Sequence, residues 1–454
     1  MNYESYDEYI QSKTYLIDEI PSHWEIVPMN QFVNLVTDYV ANGSFASLRA
    51  NVEYKNEEDY AILVRLADNT NNFSGPFVYI DEDAYNFLSK SKLYEGDIVL
   101  SNTGSIGSIF KVPNLGKPMS LGPNSLLIRF DNQILANYFF YLFNCDIGMK
   151  FLESITTVTT QPKFNKTDFR KLPMIMPPFT EQKQIANYLD KKTAKIDATI
   201  AKNEELIELL EEKRVALINQ VVTKGLNPDV PMKDSGVEWI GEIPKHWNVE
   251  KIKNISQVKP SNVDKKSKDN EPPVLLCNYT DVYNNEFITM DLDFMKATAT
   301  HDQINKLSLN IGDIIITKDS ESADDIAVPA IVTEELENVV CGYHLAVIKP
   351  NNNIVYPKFL FRSFESDRIN KQFELGANGV TRFGLGAYPI NNAYICQPPL
   401  NEQKEIANYL DIETAKIFKA TDKILKHIEL LEEYKTSLIH HVVTGKIDVR
   451  GEEI

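Results

Sequence analysis

The stretch EQKQIANYLD at residues 181–190 returns as EQKEIANYLD at residues 402–411, with nine of the ten residues identical. The match runs without a gap over residues 177–223 and 398–444, and it also pairs TAKI with TAKI and IELLEEKR with IELLEEYK. An ungapped repeat of this length indicates two copies of one structural unit. The fold is therefore expected to be organised around these two segments.

Both copies have the sequence pattern of a long helix. Apolar residues recur every seven positions with a second apolar row between them, which is the a/d pattern of a coiled coil. Each helix would be about 65 Å long at 1.5 Å per residue. The predicted seam consists of Leu189, Ile196, Asn203, Leu210 and Leu217 in the first copy, and of Leu410, Ile417, Ile424, Leu431 and Leu438 in the second.

Two details of these helices lead to expectations. Thr180 and Asn401 directly follow proline pairs and are predicted to be the N-caps, because each offers a side-chain oxygen to unpaired amides. Asn203 aligns with Ile424, so the seam is polar in one helix only. That asparagine is either a tolerated polar residue or one that fixes the register of the helix pair.

A shorter motif is also repeated. DEIPSHWEIV at residues 18–27 resembles GEIPKHWNVE at residues 241–250, and both contain I-P-x-H-W. The order along the chain is therefore motif, variable region and long helix, each occurring twice. The repeated His-Trp pairs are interpreted as structural packing at the start of each domain.

The two variable regions read as mixed α and β. Short β-rich runs, broken by Gly, Asn and Pro, predict strands at residues 61–66, 97–101, 125–130, 313–317 and 344–350. Aromatic stretches predict helices at 137–145 and 358–364. The predicted fold is α/β (mixed α+β): two similar domains separated by two long antiparallel coiled-coil helices in a pseudo-two-fold internal repeat. The predicted segments are 1–178, 179–225, 226–399 and 400–454.

Composition narrows the class of protein. A chain of 454 residues is expected to form two or more domains. It has no apolar run of about 18 residues, which predicts no membrane span, and its N-terminus lacks a secretory pattern, which predicts a cytoplasmic protein. The four cysteines lack C-x-x-C spacing, so buried thiols are expected and no metal site.

The motifs of several enzymes are missing from the sequence. An adenine methyltransferase needs an N/D-P-P-Y/F loop, but no Pro-Pro pair here follows Asn or Asp. P-loop and H-E-x-x-H motifs are also missing. In PDVPMK, Pro231 occupies the position where a nuclease would place a metal-binding carboxylate. No catalytic residue is predicted, and the chain is interpreted as a recognition or scaffold protein.

Taken together, the two P-P-x-x-E-Q-x-x-I-A-x-Y-L-D segments, the G-D-I strands and the I-P-x-H-W motifs resemble the specificity subunits of type I restriction-modification systems. The resemblance extends over essentially the whole chain. It implies two target recognition domains separated by conserved spacer helices, and no catalytic activity in this chain. It also implies double-stranded DNA, two methyltransferase subunits and restriction subunits as partners. No cofactor is expected here, since the methyltransferase subunits would bind S-adenosylmethionine.

Polar residues in two kinds of loop are candidates for DNA contact, since Asn, Lys and Arg can read base edges. One loop follows each G-D-I strand, the other precedes each long helix, and two further candidates end matching strands. The candidates are Ser101, Asn102, Thr103, Ser105, Gln161, Lys163 and Lys166 in the first region, Lys318, Ser320, Arg382 and Tyr388 in the second, and Arg65 and Asn278 on the matching strands. The alternatives are ordinary polar turns and solvent-facing connectors.

The charge of the chain complicates the DNA-binding hypothesis. The net charge is −17, and residues 1–176 alone contribute −7. No broad basic face is expected, so the partner subunits are expected to supply much of the attraction to phosphates. The competing hypothesis is a coiled-coil adaptor whose two domains bind proteins or glycans.

Overall fold

The computed structural model describes residues 4–14, 16–130, 132–157 and 160–452. The chain forms two compact units. Unit 1 comprises residues 1–202 together with 426–454, and unit 2 comprises residues 203–425. Each unit therefore contains one variable region, the start of the helix that follows it and the end of the other long helix.

Unit 1 contains twelve named strands and six short helices within the described residues. The strands are β1 (Tyr9–Gln11), β2 (Glu19–Pro21), β3 (Glu25–Pro28), β4 (Val33–Asp38), β5 (Ala61–Val64), β6 (Tyr79–Ile80), β7 (Lys92–Leu93), β8 (Ile98–Ser101), β9 (Ile109–Lys111), β10 (Met119–Leu121), β11 (Ser125–Phe130) and β12 (Pro173–Met176). The helices are α1 (Phe45–Asn51), α2 (Leu66–Thr70), α3 (Glu82–Phe87), α4 (Gln133–Phe143), α5 (Asp146–Ser154) and α6 (Lys166–Arg170).

Two four-stranded sheets form the variable region of unit 1. Their strand orders are β4-β11-β8-β9 and β6-β5-β10-β7, and only β5 and β10 run parallel to each other. The first sheet packs against α4 and α5 in an apolar core that also takes in the start of one long helix and the end of the other. The predicted strands at 61–66, 97–101 and 125–130 and the predicted helix at 137–145 are all found, with bounds shifted by a few residues.

Unit 2 repeats this plan with one strand more in its larger sheet. The strands are β13 (Met232–Asp234), β14 (Glu242–Pro244), β15 (Asn248–Lys251), β16 (Ser256–Pro260), β17 (Pro273–Cys277), β18 (Phe287–Ile288), β19 (Met295–Thr298), β20 (Ile314–Thr317), β21 (Asp319–Ser320), β22 (Pro329–Val332), β23 (Val339–Cys341), β24 (Leu345–Pro350), β25 (Phe383–Gly384) and β26 (Tyr394–Gln397). Its helices are α8 (Ile252–Ile255), α9 (Tyr279–Tyr283), α10 (His301–Leu307), α11 (Pro357–Phe364), α12 (Asp367–Gly376) and α13 (Ala387–Asn392).

The sheets of unit 2 have the orders β16-β24-β20-β22-β18 and β19-β17-β23. Strands β17 and β23 run parallel, as β5 and β10 do in unit 1. All four cysteines are buried free thiols, as the sequence predicted. Within the described residues, no helix is both long and apolar enough to cross a membrane.

The repeated segments form two long helices, α7 (Phe179–Lys224), which follows α6, and α14 (Leu400–Val443), which follows α13. In unit 1 the start of α7 and the end of α14 run antiparallel. Leu189 of α7 shares a core with Leu438 of α14. Further along α7, Asp197 bonds to Lys435, which lies earlier in α14, at 2.6 Å. In unit 2 the end of α7 and the start of α14 share a core in the same way.

The predicted N-caps of the long helices are wrong. The helices begin at Phe179 and Leu400, so Thr180 and Asn401 lie inside the first turn. A proline lies directly before each helix, and it has no N–H group that would need a partner. The Pro178 carbonyl instead accepts the N–H of Glu181 at 2.9 Å.

The predicted seam residues differ in burial along the two helices. Leu189, Leu410 and Leu438 are fully buried, and Ile196 and Ile417 are nearly so. The remaining positions, towards the middle of each helix, are half-buried: Asn203, Leu210, Leu217, Ile424 and Leu431. Burial is therefore deepest where a helix end meets a domain.

The repeated His-Trp pair has a direct structural explanation in unit 1. Glu181, at the start of α7, is only 3% exposed. It accepts hydrogen bonds from the Trp24 indole at 3.0 Å and from Tyr6, and it pairs with the His23 imidazole at 2.8 Å. The histidine of the I-P-x-H-W motif contacts the glutamate of the E-Q pair in both units, His23 with Glu181 and His246 with Glu402, which explains why the two motifs recur together.

The glycine that follows α14 closes unit 1. Gly445 has a φ of +73°, and a Cβ there would lie 2.4 Å from Pro21 Cδ. Replacing Gly445 with alanine is expected to lower the free energy of unfolding by about 2–3 kcal/mol, because left-handed backbone and a clash with a rigid ring both cost energy. Urea unfolding would measure this.

The matched control for this prediction is Gly116→Ala. Gly116 has a φ of +72° but open space around its Cβ position. The control is therefore expected to lose only the backbone term of about 1–2 kcal/mol. Equal losses in the two variants would refute the close contact with Pro21.

Candidate nucleic-acid interface

The G-D-I strands support one local frame in both units. In unit 1 the Asp97 carboxylate accepts the backbone N–H of Tyr94 at 2.8 Å and pairs with Arg129 on the neighbouring strand at 2.5 Å. In unit 2 Asp313 pairs in the same way with Lys349, at 2.7 Å. The motif therefore fixes where each strand begins, and its role is structural.

The parallel strands meet at a glycine in both units. The N–H of Gly122 donates to Val64 O at 2.7 Å, and the N–H of Gly342 donates to Cys277 O at 2.8 Å. A Cβ would lie 2.8 Å and 2.7 Å from those same carbonyl oxygens, which leaves no room for a side chain. This close approach brings the ends of the two strands together.

Two positions after each of these glycines lies a residue whose backbone is in the left-handed conformation. Asn124 has a φ of 67° and His344 a φ of 71°. The carbonyl of Asn124 accepts the N–H of Asn102 at 3.3 Å, and that of His344 accepts the N–H of Lys318 at 2.9 Å. The turn is thereby tied to the loop that follows the G-D-I strand.

The segment before each long helix pairs with that same loop. In unit 1, Thr103 forms a β-bridge with Lys163, and the N–H of Gly104 donates to Pro162 O at 2.9 Å. In unit 2, β21 pairs with β25, and Asp319 lies opposite Gly384. The two kinds of loop predicted from the sequence are therefore brought together in each unit, with matching register.

The resulting surface has the same backbone in both units but different side chains. We call it the recognition ridge, and it consists of the matched positions that surround the glycine found in both units. The matched pairs are Arg65 and Asn278, Asn102 and Lys318, Thr103 and Asp319, Pro123 and Tyr343, and Asn124 and His344.

The candidates of unit 1 differ in their availability. Ser105, Gln161 and Lys163 are exposed, and Asn102 and Thr103 are half-buried. Ser101 is fully buried, so its hydroxyl cannot reach a base, and its prediction as a DNA contact is wrong. Lys166 is engaged in an ion pair with Asp38 at 3.0 Å.

Charged and aromatic side chains surround the candidate Lys318 of unit 2, which lies 3.7 Å from Asp319. The Lys318 ammonium lies 4.7 Å from the ring centroid of Tyr343, which is 48% exposed. Asp319 accepts a 2.6 Å contact from the His344 imidazole. An exposed aromatic ring such as that of Tyr343 suits base stacking or cation–π contact.

The remaining unit 2 candidates lie around this group. Arg382 is exposed directly before β25. Tyr388, on α13, is 79% exposed. Ser320 is buried, at 7% exposure, so only a small part of it is accessible. Asn278 is half-buried at the end of β17.

Asn124, Tyr343 and His344 also belong to this surface but were not predicted from the sequence. Their signal was present, because each turn begins with a glycine and leads into a predicted strand, at 125–130 and 344–350. When the two repeats are aligned on these strands, the two turns occupy equivalent sequence positions. Among the described residues, no group of three His, Cys, Asp or Glu side chains could hold a metal ion.

Two segments of the chain, residues 21–209 and 244–430, match the family described as the type I restriction modification DNA specificity domain. They span most of the chain, so it belongs to this family. It is a DNA specificity subunit of a type I restriction-modification system, and such subunits are not themselves catalytic.

Individual relatives agree with this membership. The type I restriction enzyme MjaVIII specificity subunit of Methanocaldococcus jannaschii is 25% identical over 441 residues, 95% of each chain. A solved chain from a study of assembly and conformational transition of the type I R-M system has a TM-score of 0.68 at 13% identity, covering 94% of this chain and 99% of that one. The HsdS subunit from Thermoanaerobacter tengcongensis has a TM-score of 0.53 at 13% identity, covering 96% and 100%. These two structures support the fold alone.

Proposed function

We propose that each unit reads one half of an asymmetric, bipartite site in double-stranded DNA through its recognition ridge. The observation that carries the proposal is the matched frame, in which equal backbone geometry presents Arg65, Asn102 and Asn124 in one unit but Asn278, Lys318 and His344 in the other. Two like frames with unlike side chains suit two half-sites of different sequence.

By binding its DNA site, this chain would place partner subunits at the adenines to be methylated. Two methyltransferase subunits are the proposed partners, with restriction subunits joining them, and S-adenosylmethionine would be bound by the methyltransferases. With its net charge of −17, this chain attracts phosphates weakly by itself. The partners would therefore supply much of the electrostatic attraction, and assembly would occur in the cytoplasm of a bacterium or archaeon.

The test is co-expression of this chain with its methyltransferase subunits in a host that lacks DNA methylation, followed by genome-wide mapping of N6-methyladenine. We expect a split motif of two unlike half-sites around a fixed gap. Methylation that is the same without this chain would refute the proposal. So would its absence while the methyltransferase is folded and bound, an outcome that would favour an adaptor.

A further inference from the structure

The first matched pair of the recognition ridge lies at the end of the parallel strand of each unit. Arg65 follows β5 and precedes α2, and Asn278 follows β17 and precedes α9. Both backbone N–H groups donate to a carboxylate three residues later, Asp68 at 2.7 Å and Asp281 at 2.6 Å. The two side chains thus leave the backbone from equivalent, fixed positions.

In unit 1 that carboxylate also orients the side chain. Asp68 is only 2% exposed, and its second oxygen accepts Arg65 Nη2 at 2.8 Å. The Arg65 side chain is itself 36% exposed. Among the described residues none accepts from Nη1, so the buried acid holds one edge of the guanidinium while the other edge keeps its donors.

In unit 2, as far as the structure describes the chain, the equivalent carboxylate holds no side chain of its partner residue. Asp281 accepts the backbone N–H of Asn278, and burial raises its pKa above the ordinary value. Among the described residues, the Asn278 amide donates one hydrogen bond, to Leu276 O at 3.3 Å, so its second N–H remains available. An amide with one donor and one acceptor is the complement of adenine in the major groove.

We propose that Arg65 and Asn278 are equivalent specificity-determining residues, that Arg65 reads a guanine in one half-site, and that Asn278 reads an adenine in the other. Asp68 is the positioning residue of Arg65. The inference rests on the proposed bipartite reading. It follows from the chemistry of the two side chains, since a guanidinium fork matches guanine O6 and N7 and a primary amide matches adenine N6 and N7.

Exposed position and contact with neighbours support this assignment over a purely structural role. A Cβ at Gly122 would lie 3.2 Å from Arg65 Cγ, so the arginine stem lies on the glycine at the centre of the ridge. The same glycine leads through Asn124 to Asn102 by a backbone hydrogen bond. Arg65 is therefore part of a continuous polar surface, beside the two predicted loops.

The experiment maps N6-methyladenine made by the complex of this chain with its methyltransferase subunits, comparing the wild type with single variants. For Arg65→Asn we expect discrimination at one G·C pair of one half-site to fall by about tenfold to a hundredfold, with the other half-site unchanged. For Asn278→Arg we expect one A·T pair of the opposite half-site to change to G·C, because Asp281 is available to orient the new guanidinium.

Two further variants separate base reading from phosphate contact. Arg65→Lys keeps the charge but loses the fork, so it should relax the same base pair. Asp68→Asn keeps an oxygen for the backbone N–H but loses the ion pair, so it should relax that base pair less strongly. Arg49→Asn, an exposed arginine on α1, is the control and should leave the motif unchanged.

The outcomes are distinct. If the wild type gives no split motif, the proposed function fails. If it does, and Arg65→Asn lowers methylation equally at all sites with the motif intact, Arg65 is a phosphate contact and the inference is overturned. An unchanged motif in both Arg65→Asn and Asn278→Arg overturns it as well. Hydrogen exchange of each unit checks folding, and the two variants lie in different units, so misfolding of one leaves the other decisive.

Discussion

Replacement of Arg362 by methionine is expected to lower the free energy of unfolding of unit 2 by about 3 kcal/mol or more at pH 7. Arg362, on α11, is only 1% exposed. Its Nη1 lies 2.7 Å from Glu365 and 2.5 Å from Glu286, and its Nη2 lies 3.0 Å from Asp411 on α14. Removal of the guanidinium takes away the ion pair of Glu286, while Glu365 keeps Arg214 at 2.7 Å and Asp411 keeps Lys358 at 2.7 Å.

The effect should depend on pH in a defined direction. Burial raises the pKa of Glu286, and the charge of Arg362 opposes this rise. Without the arginine, the folded variant binds protons more tightly than its unfolded chain does, so its stability rises as the pH falls. The deficit of the variant relative to the wild type should therefore shrink between pH 7 and pH 5.

Urea unfolding at both pH values, followed by hydrogen exchange to locate the loss in unit 2, would measure this. Lys306→Met is the control, since its ion pair with Asp302 is exposed on both sides and should cost well under 1 kcal/mol. Arg362→Lys should recover part of the loss, as it restores the charge without the fork. A deficit that stays the same or grows towards pH 5 would contradict the assigned cause.

The long helices could be predicted because their pattern is local. Heptad spacing and an ungapped repeat are visible in one dimension, and the helices found at Phe179–Lys224 and Leu400–Val443 follow from them. Their starting residues were misplaced because the Pro178 carbonyl already accepts the N–H groups of Glu181 and Gln182, so the helix begins before Thr180. Several strands were also found from local composition.

The recognition ridge could be predicted only in part. The loops around Asn102 and Lys163 were identified from residue type, but their pairing depends on a register between segments about 60 residues apart. The importance of Gly122 depends on a carbonyl 2.7 Å away on a parallel strand. Burial of Ser101 likewise follows from sheet packing, which no local pattern reveals.

The repeated glutamate at the start of each long helix gives a test within one chain. Glu181 and Glu402 occupy equivalent positions, but their partners differ. Glu181 receives the Tyr6 hydroxyl, the Trp24 indole and the His23 imidazole. Glu402 contacts the His246 imidazole at 2.9 Å, and that side chain is 47% exposed.

The difference extends to the tryptophans. The Trp247 indole N–H is buried with no described acceptor, whereas the Trp24 indole N–H donates to Glu181 at 3.0 Å. Burial and the hydrogen bond to Glu181 both raise the pKa of Tyr6, so this phenol stays a donor at neutral pH. Unit 1 therefore depends on its glutamate far more than unit 2 does.

Glu181→Ala is expected to destabilise unit 1 by about 3 kcal/mol, because buried donors to a charged acceptor are left unpaired. Glu402→Ala is the matched variant and should cost unit 2 only about 1 kcal/mol, since its main partner can turn to water. Glu181→Gln, which keeps one acceptor oxygen, should fall between them. Hydrogen exchange resolved by unit measures all three, and equal losses for Glu181→Ala and Glu402→Ala would show that the hydrogen-bonded cluster around Glu181 does not contribute as its geometry indicates.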